Sequence, residues 1–501
     1  MSLLGVDVGT SGCKAAAFSS DGGCLAIAYQ EYSFSRPLPE YAELNSLEVW
    51  EKTKQVIKEV AAATGKDKVQ ALCVSSLGEA MVPVSKRREI LGSSILSFDR
   101  RGTQYSQALI KEFGLEKFYR LNRNLPGPHF SLPKLLWVKE KQPKLYQKAD
   151  YFLLWADLIN FMLGAEAVTS NSLASRTLLF DFCHQDWSEP LLNWSKIPRE
   201  KLGRIVPGGV VVGQVTKKLA EELSLDPSVL LVSGGHDQCL NALGCGGISQ
   251  GKVVCGLGTY ECLTPIFAPV GEPLGFLKEN LNMENHVLPG LAVAFLYNQA
   301  GILIRWFRDT FASAEASQPN IYDKLNQEMP KEPTSLLVLP HFEPVQWPTY
   351  LPETSGVIVG LKTSTTRGEI LKAIMEGIVF HFVPGLTSLS RLGIPVAECL
   401  ASGGGARSDA WLAIHADILG IPFVRPRVTE AGLTGCAILA GLATGVYSSP
   451  EEAASIFIKK EKVFYPDNTR HRIYQEKYRI YSRLYPAIKS VLASLTSEVK
   501  V

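Results

Sequence analysis

The stretch from Val6 to Phe18 carries an aspartate, two glycines, two hydroxyls and a lysine in an order that suits phosphate chemistry. An apolar strand bears Asp7 near its end, Gly9-Thr10-Ser11-Gly12 form a turn, and Lys14 opens a second apolar strand. Successive backbone amides in a Gly-rich turn make an anion-binding nest, and glycine admits close approach of a ligand. Gly9, Thr10 and Ser11 are therefore candidates for cradling phosphate oxygens, and Lys14 for neutralising them. Asp7 would hold Mg²⁺, which typically takes one or two carboxylates plus phosphates. The plainer alternatives are an Asp7 that accepts turn amides and a solvated Lys14. The second half of the chain echoes the turn as Cys255-Gly256-Leu257-Gly258-Thr259-Tyr260-Glu261-Cys262. In ungapped register Gly9 falls on Gly258, Thr10 on Thr259, Cys13 on Cys262 and Phe18 on Phe267. Gly258 and Thr259 are thus expected to meet phosphate too. The second copy lacks both the aspartate and the lysine, which leaves the metal to the first.

A second centre is Ser233-Gly234-Gly235-His236-Asp237-Gln238, just past the apolar run Val229 to Val232. A carboxylate in a Gly-rich turn that opens a helix is well placed as a general base. Asp237 takes that role, and it joins Asp7 as a metal carboxylate without a metal being its only task. His236 either satisfies a turn carbonyl or takes part in catalysis. A third centre is Ser402-Gly403-Gly404-Gly405-Ala406-Arg407-Ser408-Asp409, where three glycines would let a flat ligand or a phosphate lie against backbone. The triplet also fits a simple tight crossing. It is not the dinucleotide fingerprint, whose third glycine is missing, and no Walker-type lysine motif occurs.

Strands and helices alternate around these centres. Leu3 to Val8, Lys14 to Ser19 and Cys24 to Tyr29 read as consecutive strands, followed by a helix that Ser46 would cap. Gln70 to Ser75, Met81 to Val84 and Val229 to Ser233 read as further strands. Lys217 to Leu223 reads as a helix. The second half repeats the theme, with strands at Gly251 to Leu257, Glu261 to Phe267 and Glu398 to Ser402, one helix from Arg367 to Arg391, and a small-residue helix from Gly435 to Thr444. The pattern predicts an α/β layer architecture in two domains, 1–245 and 246–501, divided near Gly244-Cys245-Gly246-Gly247.

The 501 residues exceed one hydrophobic core. With 46% hydrophobic and 20% charged residues, the composition is that of a folded soluble protein. A net charge of +2 gives no reason to invoke nucleic acid or an acidic membrane. No run of about 18 apolar residues predicts a membrane span, and no signal peptide is read. The ten cysteines are scattered, with Cys13, Cys73, Cys239 and Cys436 inside apolar segments, so core positions rather than disulfides are expected. The absence of a Cys-x-x-Cys pair argues against zinc. A reducing, cytoplasmic location follows.

Asp7-x-Gly9-Thr10-Ser11, Gly258-Thr259 and Gly403-Gly404-Gly405-Ala406, in this order, resemble the two phosphate motifs and the adenosine motif of the actin-like ATPases. More narrowly, the chain resembles the FGGY carbohydrate kinases. His129-Phe130-Ser131-Leu132-Pro133-Lys134-Leu135-Leu136-Trp137 is similar to that family's N-domain signature. Gly356-Val357-Ile358-Val359-Gly360-Leu361, continuing to Ala373 and Glu376-Gly377, is similar to its C-domain signature, and Ile414 to Pro422 with Gly435-Cys436-Ala437 completes it. The resemblance spans essentially the whole chain. It implies two ribonuclease-H-like (actin-like ATPase) domains with ATP in the cleft between them. The N-terminal domain would hold the sugar site and first phosphate motif, and the C-terminal domain the second phosphate motif and the adenosine site.

By position, the resemblance makes Asp237 the catalytic aspartate and Asp7 the metal-associated one. Lys14 falls where glycerol kinase has an arginine near phosphate. Asp409, after the glycines, falls where glycerol kinase has an adenine-contacting asparagine. For the sugar, Glu79 matches a substrate-contacting glutamate of glycerol kinase, His129 falls on a substrate-contacting tyrosine, and Gln238 lies beside Asp237. Asp99-Arg100-Arg101 resembles the Trp-x-Asp-x-Arg segment of pentulose kinases without its tryptophan, which nominates Arg101, with Arg100 as the competing choice. Gly78 replaces both the histidine of xylulokinases and the arginine of glycerol kinase, leaving room beside Glu79. Glu79 could otherwise be a strand-end charge facing solvent. The implied activity is ATP- and Mg²⁺-dependent phosphorylation of a primary hydroxyl on a small ketose, a xylulose- or ribulose-type pentulose first and a glycerol- or erythritol-type polyol second. An actin-like nucleotide hydrolase without a sugar acceptor is the remaining alternative. The resemblance leaves room for a homodimer.

Overall fold

The computed structural model describes residues 1–343, 345, 351, 354–428 and 430–498. The chain forms two compact units. One comprises Met1–Ile248, Ala268–Ala294 and Val428–Lys459; the other comprises Ser249–Phe267, Phe295–Arg427 and Lys460–Val501. The division is therefore not one cut, because the chain returns twice to the first unit.

The first unit is built on a six-stranded sheet of β1 Ser2–Val8, β2 Gly12–Ser19, β3 Cys24–Glu31, β4 Val69–Ser76, β5 Val211–Gln214 and β6 Leu230–His236. Its spatial order is β5-β6-β4-β1-β2-β3. β1 runs parallel to β4, and β4 parallel to β6, while β1, β2 and β3 form an antiparallel meander. Leu3, Leu4, Val6 and Val8 are all buried, so β1 reads as a continuous apolar run rather than an alternating one. Asn45, not Ser46, caps the helix Ser46–Ala63: its side-chain oxygen accepts from the Leu47 and Glu48 amides, and Ser46 is already helical.

β6 passes through Gly234 and Gly235 as strand and delivers Asp237 directly to the first position of the helix Asp237–Gly244. The expected glycine turn is thus absent. The glycines serve close packing instead, since a Cβ at Gly234 would lie 1.8 Å from the Val74 carbonyl oxygen. The helix Asp237–Gly244 in turn packs against Ala431–Ala443. A Cβ on Gly244 would meet the Ala431 carbonyl at 1.8 Å, and one on Gly435 the Leu240 carbonyl at 2.0 Å. This close crossing fixes the axis from which Asp237 projects.

The second unit repeats the plan with β7 Lys252–Leu257, β8 Tyr260–Phe267, β9 Leu296–Gln299, β10 Glu398–Ser402, β11 Phe423–Arg427 and β12 Lys459–Phe464. Here β9-β8-β7 are antiparallel, and β7, β10 and β11 are parallel. The order of directions matches β3-β2-β1-β4-β6, so the two units are internal repeats of one topology. The register of the repeat differs from the ungapped one. Val8 pairs with Cys13 across the first turn, whereas Leu257 pairs with Glu261 across the second. The second turn is one residue shorter, so Cys13 corresponds to Glu261, and Phe18 to Ile266.

Arg367 to Arg391 is two helices, Arg367–Phe380 and Val383–Arg391, because Pro384 cannot continue the first. By length and composition the segment could cross a membrane, which the sequence reading did not flag. Some 72% of its apolar window is buried, which marks it as core. The sequence reading also missed the helix Asn468–Glu498. It packs inward through Tyr474 and Lys477, which bond the buried Glu376.

Candidate active site

The first unit gathers the acids at the ends of β1 and β6. Ser75 on β4 lies opposite Asp7 in register, and its hydroxyl donates to Asp7 Oδ1 at 2.7 Å. Lys14 lies opposite Asp7 on β2 and reaches Glu430 Oε2 at 2.8 Å. Burial raises the Asp7 carboxyl above the usual carboxylate range, while Ser75 and Lys14 pull it down and Glu430 pushes it up. Glu430 was invisible in the sequence, where nothing ties it to Lys14. The turn between β1 and β2 is pinned by Tyr32, whose hydroxyl lies 2.7 Å from the Gly9 carbonyl and 3.0 Å from that of Gly12. The Gly9 amide closes the turn onto Gly12. Among the described residues, no hydrogen bond engages the Thr10 and Ser11 amides, as a phosphate nest requires.

Asp237 keeps 35% of its side-chain surface open to solvent. Its carboxyl is nonetheless pushed up to about 7, first by burial and then by the charges of Asp7 and Glu79, while the Gln238 amide opposes the rise. His236 lies beside it, with Nε2 3.4 Å from Asp237 Oδ1. Burial and the Arg176 charge hold His236 well below its ordinary value, so it is neutral at physiological pH.

The sugar candidates converge on a buried ion network. Glu79 sits at φ +62° with its carboxylate turned inward, so it is not a solvent-facing strand-end charge. Arg176 Nε donates to Glu79 Oε1 at 2.6 Å, and its Nη1 donates to Glu284. Burial pushes Glu284 up to about 7 in spite of that arginine. His129 joins the group: burial, then the charges of Arg176 and Lys134, hold it well below its ordinary value. Gly78 does not leave the expected room. A Cβ there would lie 2.9 Å from His236 Cδ2 and 3.3 Å from Arg176 Cγ, so side chains from distant segments fill the space beside position 78. Arg176 and Glu284 were not found in the sequence, because an isolated arginine and an isolated glutamate carry no local pattern.

Arg101 lines a cavity of about 170 Å³ together with Glu79, Glu43, Ser131 and Lys134. Its guanidinium is already paired with Asp99 and Glu43, each at 2.6 Å, and lies over the rings of Tyr41 and Trp137. Arg101 therefore braces the cavity wall with its charge neutralised. Arg100 is an exposed residue 3.9 Å from Glu40.

The second unit brings its two glycine turns together. Gly258 closes onto Tyr260, while its carbonyl and that of Thr259 accept from Gly301 and Ile302 at the start of the helix Gly301–Phe311. Gly403 adopts φ +85°, and a Cβ there would lie 2.6 Å from the Leu257 carbonyl. Gly404 has open space above it, while Gly405 packs on Leu257 and Trp411. Asp409 opens the next helix, and its two oxygens are engaged by Arg425 and Lys462. Those cations hold its carboxyl below the usual range. Asp409 thus differs from the neutral asparagine of glycerol kinase in carrying a charge that two cations balance.

The chain has a duplicated α/β fold of the actin-like ATPase type, with an aspartate at the head of a helix and acids at the strand ends. The chain belongs to the FGGY family of carbohydrate kinases: the family's N-terminal domain matches residues 2–244 and its C-terminal domain residues 279–444. It is 28% identical to a xylulose kinase of Staphylococcus epidermidis, over 98% of each chain. It is 25% identical to a gluconokinase of Bacillus licheniformis, over 99% of this chain and 96% of that one. It is 27% identical to a glycerol kinase of Albidiferax ferrireducens, over 93% of this chain and 95% of that one. The crystal structure of a xylulose kinase from Rhodospirillum rubrum superposes with a TM-score of 0.88 at 23% identity, covering 98% of this chain and all of that one. The protein is a sugar phosphotransferase, and kinases of this family use ATP.

Proposed function

We propose that the protein transfers the γ-phosphoryl group of ATP to a primary hydroxyl of a small neutral ketose, a pentulose of xylulose or ribulose type. The observation that carries this reading is the position of Asp237, raised to about 7 and open to solvent on one side at the head of its helix. Asp237 accepts the hydroxyl proton as the sugar oxygen attacks phosphorus. The bond from phosphorus to the bridging oxygen of ADP breaks, leaving sugar phosphate, ADP and a proton. Such a reaction is governed by positioning and electrostatics. The Gly9–Ser11 turn, Lys14, the Gly258–Thr259 turn and Gly403–Gly405 are assigned to the nucleotide.

Asp7 and Asp237 suit magnesium: both are hard oxygen donors, and the Asp7 charge raises the Asp237 carboxyl, a like-charge effect that a cation would relieve. Bound with the phosphates, magnesium would neutralise their charge.

The charges around Glu79 support this substrate class. Asp237, Glu79 and Glu284 stand against Arg176 and Lys134, and both nearby histidines are neutral. That surplus of acids disfavours a sugar acid and favours neutral hydroxyls. A polyol of glycerol or erythritol type is the competing reading, because Glu79 matches a glycerol-kinase residue. None of the ten cysteines is in a disulfide, which suits action in a reducing cytoplasm. Coupled ADP release with xylulose, ribulose, glycerol, erythritol and gluconate tests the proposal. The highest kcat/KM is expected for a pentulose; a best rate on gluconate, or hydrolysis unaffected by any sugar, overturns it.

A further inference from the structure

The second unit contains a cluster that phosphoryl transfer does not use. Cys255 on β7, Glu261 on β8 and His415 on the helix Asp409–Leu419 are fully buried, and one donor atom from each lies within 4.8 Å of the others. His415 Nδ1 lies 2.8 Å from the Trp411 carbonyl, an acceptor only, so Nδ1 carries a proton and Nε2 is turned to Glu261. Nε2 and Glu261 Oε1 are 2.8 Å apart, so one proton must lie between them. The Cys255 thiol donates to the same oxygen at 3.3 Å. Glu261 Oε2 is buried with no partner among the described residues, and a second thiol, Cys399, sits beside Cys255.

We propose that Cys255, Glu261 and His415 bind a structural zinc ion. The metal takes the place of the shared proton and of the thiol proton. A thiolate and a carboxylate then balance the charge of Zn²⁺, and Glu261 Oε2 gains a partner. Sulfur, imidazole and carboxylate together form a donor set that zinc favours. A ligand histidine whose other nitrogen donates to a backbone carbonyl is the usual outer-shell arrangement. Complete burial leaves no place for a substrate, so the ion is structural and staples the hairpin whose turn is Gly258–Thr259. The absence of Cys-x-x-Cys concealed the site, because its ligands come from two strands and a helix rather than from one short motif.

The test is zinc content of the full-length protein, refolded from chelator with zinc supplied and then gel-filtered. About one zinc per folded chain is expected, cobalt substitution should give a thiolate-to-cobalt absorption band, and chelator should lower the melting temperature. Cys255→Ser and His415→Asn should each lose the ion. Folded wild-type protein that retains less than about a tenth of an equivalent overturns the proposal. So does full retention of zinc in both variants. The wild-type measurement decides the matter even if the variants fail to fold.

Discussion

Arg176 Nε donates to Glu79 Oε1 across 2.6 Å, although the two residues stand 97 positions apart in the chain. The same guanidinium reaches Glu284, so one cation compensates two buried carboxylates. Removing one partner of a buried pair leaves the other charge uncompensated, at about 3–5 kcal/mol. Arg176→Ala should lose stability of that order in urea unfolding, and Arg176→Ala with Glu79→Gln and Glu284→Gln should recover most of it. An Arg176→Ala variant as stable as the parent would remove the network from the account.

Glu79 should govern the sugar and not the nucleotide. An unpaired hydrogen-bonding group costs about 1–3 kcal/mol, so Glu79→Ala should lower sugar kcat/KM roughly ten- to a hundredfold. Nucleotide dissociation constants measured by calorimetry should stay within about twofold of the parent. Gly78→His, by contrast, should not simply retune preference. Its Cβ would crowd the His236 ring, and overpacking of this kind costs about 1–3 kcal/mol of stability. A Gly78→His protein with unchanged melting behaviour would show that the His236 ring yields.

Asp7→Ala should raise the magnesium concentration required for half-maximal activity, because a fixed carboxylate is lost from the phosphate end of β1. A magnesium titration that superposes on the parent's would reduce Asp7 to a residue that merely accepts from Ser75.

Much of the scaffold was legible because buried strands read as apolar runs and surface helices as periodic apolar positions. Met81–Val84, Lys217–Leu223 and Glu398–Ser402 have the bounds that the pattern predicts. Asp7, Asp237 and both Gly-Thr turns stand out because strand ends and glycines carry local signatures. What stayed hidden depends on distant partners. Glu430 against Lys14, Arg176 against Glu79, and the rings that fill the space beside Gly78 come from segments far apart in the chain. The one-residue shortening of the second turn was missed for a related reason: an ungapped register matches glycines but does not detect which residues pair across the hairpin. Arg101 and Asp409 were nominated by position alone, and the structure commits both to ion pairs.

The Asp237 carboxyl at about 7 sets a pH profile. The base must be unprotonated, so log kcat/KM for the sugar should rise with unit slope below about 7 and level off above it. The same group acts on stability with the opposite sense. Its folded value lies above the unfolded value of about 3.9, so the folded state keeps a proton that the unfolded state has released. Its contribution to stability therefore falls as pH rises from about 4 to 7 and is constant above. Asp237→Asn should flatten that part of the melting-temperature profile. An identical pH dependence of melting in parent and variant would contradict the raised value.

The central claim is that Asp237 takes the proton from the attacking hydroxyl. The direct measurement is single-turnover phosphoryl transfer by Asp237→Asn at pH 8, with ATP affinity measured on the same preparation. Loss of a general base costs on the order of 10²–10⁴ in rate, so the account predicts a fall of that size with nucleotide binding intact. A variant that keeps more than about half the parental rate would contradict it.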